Sequence, residues 1–305
     1  MNRRHFIAAT SVALAAAPFT RLLSRDFNAR TAAGDLQMIR GNVGYYTNRG
    51  GTIGVYLPDG RPEGGVIVDT QFPEQANDLL GMLRDKGELA HLALLANTHH
   101  HGDHTGGNSV FAELARQHVS HARAKQNLID NLAKNDKEGT VALPGETFDT
   151  GWSTNLPDGK ETISLRHFGP AHTGGDAVIH FENANVAHLG DLLFNRRFPY
   201  IDPGAGGNLT NWAAVMKTIR RAYDKNTIFI FGHAAEGYPV FGTASDLKAM
   251  ENYLKALRRY VKKEKKKGTT LEQLKEKTTT IPGAPEWQFG ERLRGVNLEV
   301  MWGEV

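Results

Sequence analysis

One short segment of this 305-residue chain combines imidazole and carboxylate side chains at close spacing. It reads His99-His100-His101-Gly102-Asp103-His104. Alternate residues of an extended chain share a face, so a strand that ends just before this run would deliver His99 and His101 to the same side. Imidazole and carboxylate groups together suit zinc, iron or manganese. The residue types and their spacing therefore predict a metal site.

The composition narrows the chemistry of that site. The chain has 13 histidines and no cysteine, which excludes disulfides, thiolate metal ligands and cysteine nucleophiles. Any metal must therefore bind through nitrogen and oxygen atoms. The balance of 40% hydrophobic and 23% charged residues is that of a globular protein, and a chain of this length can bury a core without cross-links.

The elements that must position the histidines can be predicted from hydrophobic patterns. Residues 92–97 form a continuous apolar run, typical of a strand covered on both faces, and they end two residues before His99. Residues 134–160 are polar and contain glycine and proline, so they predict a surface excursion. Further strands are predicted at residues 54–57, 65–70, 162–168, 177–181, 186–189 and 227–231, and helices at residues 74–86, 122–133, 212–223, 245–267 and from about 270. This alternation predicts mixed sheets covered by helices.

Four separate segments resemble the motifs of one known family, in the family's order. Residues 98–107 resemble the HxHxDH signature of the metallo-β-lactamase superfamily. The later segments are Gly169-Pro170-Ala171-His172-Thr173, Gly190-Asp191 and Phe231-Gly232-His233. The resemblance covers roughly residues 35–240. It implies an α/β fold, namely an αβ/βα four-layer sandwich of two mixed β-sheets flanked by helices, with the site at one edge between the sheets.

The resemblance also implies a ligand set and a mechanism. Two divalent metal ions are implied, zinc being favoured and iron or manganese being the alternatives. A hydroxide that bridges the ions would attack the substrate, and Asp103 would act as the catalytic residue that orients it or passes on its proton. The first ion would be held by His99, His101 and His172, the second by Asp103, His104 and His233, and Asp191 would bridge the two.

The substrate class is narrowed by departures from the lactamase pattern. Asp191 stands where zinc lactamases typically carry cysteine or serine, whereas thioesterases of the glyoxalase II type, lactonases and sulfatases carry aspartate. We therefore expect a metal-dependent hydrolase of a small molecule with an ester, lactone, thioester or amide-type bond. A periplasmic β-lactamase is the alternative, and a non-catalytic metal-binding protein on the same fold is the second alternative.

The segment that follows Asp191 is the candidate substrate contact. Arg196 or Arg197 could hold an anionic group of the substrate, because guanidinium pairs well with carboxylate and phosphate. Tyr200 could line the pocket. A loop held in place only by its own packing is the competing interpretation, although loops beside active sites often carry function.

The N-terminus predicts export. Arg3 and Arg4 precede a short apolar stretch, residues 8–17, which is too small to span a bilayer and resembles a twin-arginine signal. Residues 1–33 are thus interpreted as a signal peptide and flexible lead-in, and the location as periplasmic or secreted. Residues 34–305 are interpreted as a single hydrolase domain with a C-terminal helical extension from about residue 244, and no stable membrane span is expected.

A run of basic residues near the C-terminus needs its own interpretation. Residues 255–267 carry eight lysines and arginines against Glu264. Tyr260 is the one aromatic residue in this run, so stacking of single-stranded nucleic acid has little support. We interpret the run as a solvated helix face, and no nucleic-acid partner is expected.

Overall fold

The structure is a computed structural model that describes residues 34–288 and 290–305. The predicted signal segment, residues 1–33, lies outside the described residues. None of the helices within the described ranges is both long enough and apolar enough to cross a membrane.

The first β-sheet has seven strands, which lie side by side in sequence order. The first four strands pair antiparallel and the last four pair parallel, so the sheet is mixed. The apolar run predicted as a buried strand is the fifth strand, next to the centre of the sheet. The strands are β1 (Asp35–Arg40), β2 (Val43–Thr47), β3 (Ile53–Tyr56), β4 (Glu63–Val68), β5 (His91–Ala96), β6 (Ala115–His121) and β7 (Glu146–Phe148).

The second β-sheet has six strands in the order β15-β13-β11-β10-β9-β8. Strands β11 and β13 pair parallel and the other neighbours antiparallel. A short parallel pair, β12 (Phe194–Asn195) and β14 (His233–Ala234), forms a separate two-stranded sheet. The six strands are β8 (Gly151–Asn155), β9 (Thr162–Arg166), β10 (Val178–Phe181), β11 (Val186–His188), β13 (Ile228–Ile230) and β15 (Phe241–Gly242).

Helices cover the outer faces of the two sheets. Several begin at residues that cap free backbone N–H groups: the Asn208 side chain accepts a hydrogen bond at the start of α5, and Thr243 and Thr270 form capping boxes at α6 and α7. The helices are α1 (Pro73–Asp85), α2 (Gly102–Thr105), α3 (Asn108–Ala112), α4 (Ala122–Lys134), α5 (Leu209–Ala222), α6 (Ala244–Lys266), α7 (Leu271–Lys277) and α8 (Glu291–Glu304).

Three buried apolar clusters define the layers. The central cluster joins the facing sides of the two sheets and includes Val66, Leu94 and Ile179. Leu79 of α1 belongs to a second cluster, which covers the outer face of the first sheet. Trp212 of α5 belongs to a third, which covers the outer face of the second sheet together with α6 and α8. The order helix, sheet, sheet, helix confirms the predicted four-layer α/β sandwich.

The prediction of a surface excursion over residues 134–160 was wrong in part. Strands β7 and β8 lie within it as outer strands of their sheets. β8 alternates exposed with half-buried side chains, and β7 buries only Phe148. Strands β1, β2 and β6 and helix α8 were not predicted. The basic run of residues 255–267 lies on α6 with its lysine and arginine side chains exposed, as expected of a solvated helix face.

Candidate active site

The predicted ligands lie shortly beyond the ends of strands: Asp103 and His104 are on the short helix α2, and His233 is the first residue of β14. The run 99–104 follows β5, and His101 directly precedes the short helix α2. His172 lies in the loop between β9 and β10, Asp191 in a 3-10 turn after β11, and His233 just beyond β13. Because β11 and β13 are parallel neighbours, their carboxyl ends meet at one edge of the second sheet.

Three histidines converge on one point. Nδ1 of His101 lies 3.1 Å from Nε2 of His99 and 2.9 Å from Nε2 of His172. All three rings are largely removed from solvent. Ligands of a tetrahedral zinc ion at about 2.0–2.1 Å lie roughly 3.3 Å from one another, so the three nitrogens have the spacing of a metal-binding face.

A second group of donors lies beside the first. Oδ2 of Asp103 is 3.2 Å from Nε2 of His233 and 3.9 Å from Nε2 of His104. His104 is fully buried, whereas Asp103 and His233 retain some exposure. These three residues form a donor group able to hold a divalent metal, as does the group that joins Asp191 to His99, His101 and His172.

Asp191 faces both groups with different oxygens. Its Oδ2 lies 3.4 Å from Nε2 of His172 and 3.9 Å from Nε2 of His99. Its Oδ1 lies 3.0 Å from Nε2 of His104 and 3.4 Å from Nε2 of His233. The carboxylate therefore stands between the two groups, at the place that the sequence resemblance implied for a bridging ligand.

Two buried atoms test whether the site suits a cation. Nε2 of His104 and Oδ1 of Asp191 are buried and lie 3.0 Å apart without the geometry of a hydrogen bond, and neither has a hydrogen-bond partner elsewhere among the described residues. Burying such atoms without partners costs free energy, and a cation between them would remove that cost. The donor chemistry and these two atoms both fit divalent metal ions.

Burial and charge set the protonation of these groups. Burial lowers the pKa of His172 to about 3 and that of His99 well below its usual range, so both rings are neutral and keep a lone pair for a metal. Burial acts against the charge of Asp103, but His104 and His233 lower the pKa of that carboxyl to about 2. Burial by itself would lower the pKa of His233. The nearby carboxylates, Asp191 above all, outweigh burial and raise that pKa to about 9.

Partners outside the predicted set orient the ligands. Oδ2 of Asp69 is 2.7 Å from Nδ1 of His104, and Asp69 itself accepts hydrogen bonds from the backbone N–H and the hydroxyl of Thr98. Oδ2 of Asp202 is 3.1 Å from Nε2 of His101. Carboxylates that hold the far nitrogen of a ligating imidazole fix its ring orientation.

Sequence reasoning missed both of these acids. Asp69 had a usable signal, because it follows β4, the parallel neighbour of β5, and strand ends of neighbouring parallel strands meet at one edge. The backbone N–H of Asp69 donates to the carbonyl of Ala96, the last residue of β5. Asp202 follows β12 by several residues without any spacing signal.

Glycines allow the backbone to approach the ligands closely. A Cβ atom built on Gly51 would lie 2.8 Å from Nδ1 of His104 and still closer to two other atoms of that ring. A Cβ on Gly232 would overlap Oδ1 of Asp191 and would lie 2.8 Å from the carbonyl carbon of Gly190. Side chains at these positions would displace the ligands.

A cavity of about 400 Å³ opens over the second donor group. Two of the three predicted substrate contacts, Arg197 and Tyr200, line it. Arg196 does not line it: Nη1 of Arg196 lies 3.4 Å from Oδ1 of Asp246. Ligand sites for small molecules have volumes of about 300–1,000 Å³, so the cavity suits a small-molecule substrate.

A larger and more open groove of about 870 Å³ lies on strands β8, β9 and β10. None of the predicted ligands lines it. The smaller cavity is therefore the candidate active site, because predicted metal ligands form part of its solvent-accessible wall.

Comparison with known proteins gives one family. A model for the metallo-beta-lactamase superfamily matches residues 49–266. A hydroxyacylglutathione hydrolase from Maricaulis maris (strain MCS10) is 30% identical over 98 residues, 32% of this chain and 32% of that protein. The chain thus spans about a third of the length of that curated relative.

Two solved structures show the same fold. The stereoselective inverting sec-alkylsulfatase Pisa1 from Pseudomonas sp. has a TM-score of 0.69 and 12% identity, covering 89% of this chain and 50% of that chain. A metallo-beta-lactamase from Pontibacter korlensis has a TM-score of 0.57 and 18% identity, covering 73% of this chain and 99% of that chain.

The family match extends over most of the described chain, and it includes every predicted metal ligand. The likeness to solved structures lies below 25% identity and supports the fold independently. The chain belongs to the metallo-beta-lactamase superfamily.

Proposed function

We propose that this superfamily hydrolase works with two divalent metal ions, zinc being favoured. His99, His101 and His172 would hold the first ion, and Asp103, His104 and His233 the second. The observation that carries the proposal is the position of Asp191, whose two oxygens face the two groups separately. In a site with a single metal ion, one of these oxygens would face only imidazole nitrogens.

When bound, the ions supply an activated water at neutral pH and polarise the bond that is hydrolysed. Asp103 is suited to handle the proton of that water, because it lines the cavity and its carboxylate is partly exposed. Asp191 is buried and surrounded by imidazoles, so its role is to hold charge rather than to exchange protons with solvent. Phe194 lies on the wall of the same cavity and gives it an apolar side chain.

The proposed substrate is a small molecule with an ester, lactone, thioester or amide-type bond. The cavity volume supports a small substrate. The name of one similar protein, hydroxyacylglutathione hydrolase, supports including a thioester in the panel of test substrates. The name of the structural neighbour, a sec-alkylsulfatase, adds a sulfate ester. Asp191 stands where zinc lactamases typically carry cysteine or serine, so a β-lactam serves as the comparison substrate.

The test combines metal analysis with substrate turnover. Purified protein should contain about two metal ions per chain, lose hydrolysis of the preferred ester after dialysis against a chelator, and regain it with zinc. Asp191→Ala should lower both metal content and turnover, whereas Asp78→Ala, which removes an exposed carboxylate on α1, should change neither. Metal-free protein with full activity would refute the proposal.

We also propose that residues 1–33 direct export through a twin-arginine-type route. The supporting observation is the pair Arg3 and Arg4 ahead of a short apolar stretch. Replacing both arginines by lysine should retain a fused reporter in the cytoplasm, and unchanged export would contradict the proposed route.

A further inference from the structure

The C-terminal helix α8 contributes one wall of the candidate active site. Arg292 and Leu293 of this helix line the cavity together with Arg197 and Tyr200. A hydrogen bond holds the helix beside the site, because Nδ2 of Asn297 donates to the carbonyl of Pro199 at 2.7 Å. The wall and the loop that carries Tyr200 are thus tied together.

A second set of contacts fixes the far end of α8. The carboxylate of Glu304 accepts hydrogen bonds from the backbone N–H groups of Leu209 and Thr210, at the start of α5. Asn297 is fully buried and also accepts from the hydroxyl of Tyr253 at 2.6 Å. Helix α8 is therefore anchored at two levels, so the positions of Arg292 and Leu293 are set by the fold.

The two arginines of the cavity differ from Arg196 in their contacts. Within the described part of the chain, neither Arg197 nor Arg292 forms a hydrogen bond or an ion pair, even though the cavity also contains the carboxylates of Asp103 and Asp191. Arg196 differs, because it pairs with Asp246 and its guanidinium lies 5.2 Å from the ring centroid of Trp287.

The cavity therefore has three chemically distinct parts. Its inner end carries the proposed metal ligands, including Asp103 and His233. Phe194 and Leu293 give it apolar side chains, and Arg197 and Arg292 supply guanidinium groups. A ligand that satisfies all three parts has a hydrolysable group, an apolar connecting segment and an anionic group away from the bond that is broken.

We propose that Arg197 and Arg292 together select substrates that carry a carboxylate separated from the hydrolysed bond by an apolar segment. The guanidinium fork matches a carboxylate through two parallel hydrogen bonds, and an unpaired guanidinium is available for this without first breaking an ion pair. This assignment rests on the proposed hydrolase function and adds the substrate class to it.

The test compares two esters that differ by one charge. p-Nitrophenyl hydrogen adipate carries a free carboxylate, and its methyl ester is neutral and nearly the same shape. The wild type should prefer the acid in kcat/KM, and Arg197→Gln and Arg292→Gln should each lower that preference by about 10-fold or more, as for a charge-assisted hydrogen bond. Sodium chloride should lower the preference of the wild type too, because the arginines are accessible to ions.

The matched control is Arg258→Gln, which removes one exposed guanidinium from α6, far from the lining of the cavity. It should leave the preference unchanged. Equal losses for both esters in the Arg197 and Arg292 variants, or a wild type without preference for the acid, would overturn the assignment while leaving the hydrolase proposal intact.

Failure of the hydrolase proposal would look different, because the metal-loaded wild type would cleave neither ester. Binding then decides the carboxylate assignment: titration calorimetry with the same two esters should still show tighter binding of the acid, and Arg292→Gln should remove the difference. Equal binding of the two esters to the wild type would overturn the assignment.

Discussion

Replacing Gly51 by alanine should damage the proposed second metal position without disturbing the rest of the fold. Gly51 is buried, and its backbone N–H donates to the carbonyl of Asp103 at 3.0 Å. Its φ is not positive, so alanine fits the backbone and the effect comes from the added methyl group alone. That methyl group would lie within 3.0 Å of three ring atoms of His104.

The size of the effect follows from the space around His104. The Nδ1 atom would be 2.8 Å from the new Cβ, whereas ordinary contacts begin at 3.4 Å, so the ring must move by roughly 0.6 Å or more. Moving away would stretch the 2.7 Å contact between Nδ1 and Oδ2 of Asp69. Disturbing the support of a metal ligand lowers metal affinity by about 10–100-fold, and we expect a loss of that order.

The assay is competition for zinc with a chromophoric chelator, together with the turnover of the preferred ester. The control is Gly81→Ala, since a Cβ on Gly81 in α1 meets no atom within 4 Å. That substitution should stabilise the protein by about 0.5–1 kcal/mol through helix propensity and leave zinc affinity unchanged. Circular dichroism of the metal-free proteins checks folding. If folded Gly51→Ala protein binds two zinc ions as tightly as the wild type, the reasoning is refuted.

Three further predictions follow from residues near the site and in the core. Burial lowers the pKa of His118 from its usual 6.5 to about 4, so the folded state resists protonation of this ring. The free energy of unfolding should therefore fall as the pH drops from 6.5 toward 4. Urea unfolding at pH 7 and pH 5 should differ less in His118→Gln than in the wild type. Asp69→Asn should weaken zinc binding by about 10-fold or more, because His104 loses a carboxylate partner; unchanged affinity in zinc titrations would contradict this role. Arg196→Gln should cost about 1 kcal/mol of stability in thermal unfolding by losing its ion pair and ring contact, whereas Arg197→Gln should alter substrate preference and leave the melting temperature near that of the wild type.

The metal ligands could be predicted from the sequence because their signal is dense and local. Four histidines within six residues have no packing purpose, and the strand before them is apolar on both faces. His172, Asp191 and His233 are single residues, and they became candidates only through the family resemblance. Their convergence depends on the parallel pairing of β11 with β13, which no local pattern encodes.

The elements that were missed have weak or mixed patterns. Strand β6 reads Ala-Arg-Gln-His-Val-Ser-His, with buried side chains confined to its last residues, so neither helical nor strand periodicity is clear. Helix α8 contains Gly295 and Gly303 and buries Asn297 beside Leu298 and Met301, which blurs its apolar face. Arg292 was therefore not placed beside the active site before the structure was known.

Arg196 and Arg197 show a limit of a different kind. The two are adjacent and chemically identical, so the sequence gives no reason to separate them. In the structure Arg196 has a positive φ and pairs with Asp246, whereas Arg197 lies on the cavity wall. The different contacts of these two neighbours become visible only in the folded chain.

The donors of the proposed site come from both halves of the sandwich. The run 99–104 follows a strand of the first sheet, whereas His172, Asp191 and His233 follow strands of the second. An ion held by all of them would act as a cross-link between the halves that forms only after the sheets have docked. Metal binding would then follow the docking of the two sheets. The concentration of free metal would set both the free energy of unfolding and the lifetime of the folded protein.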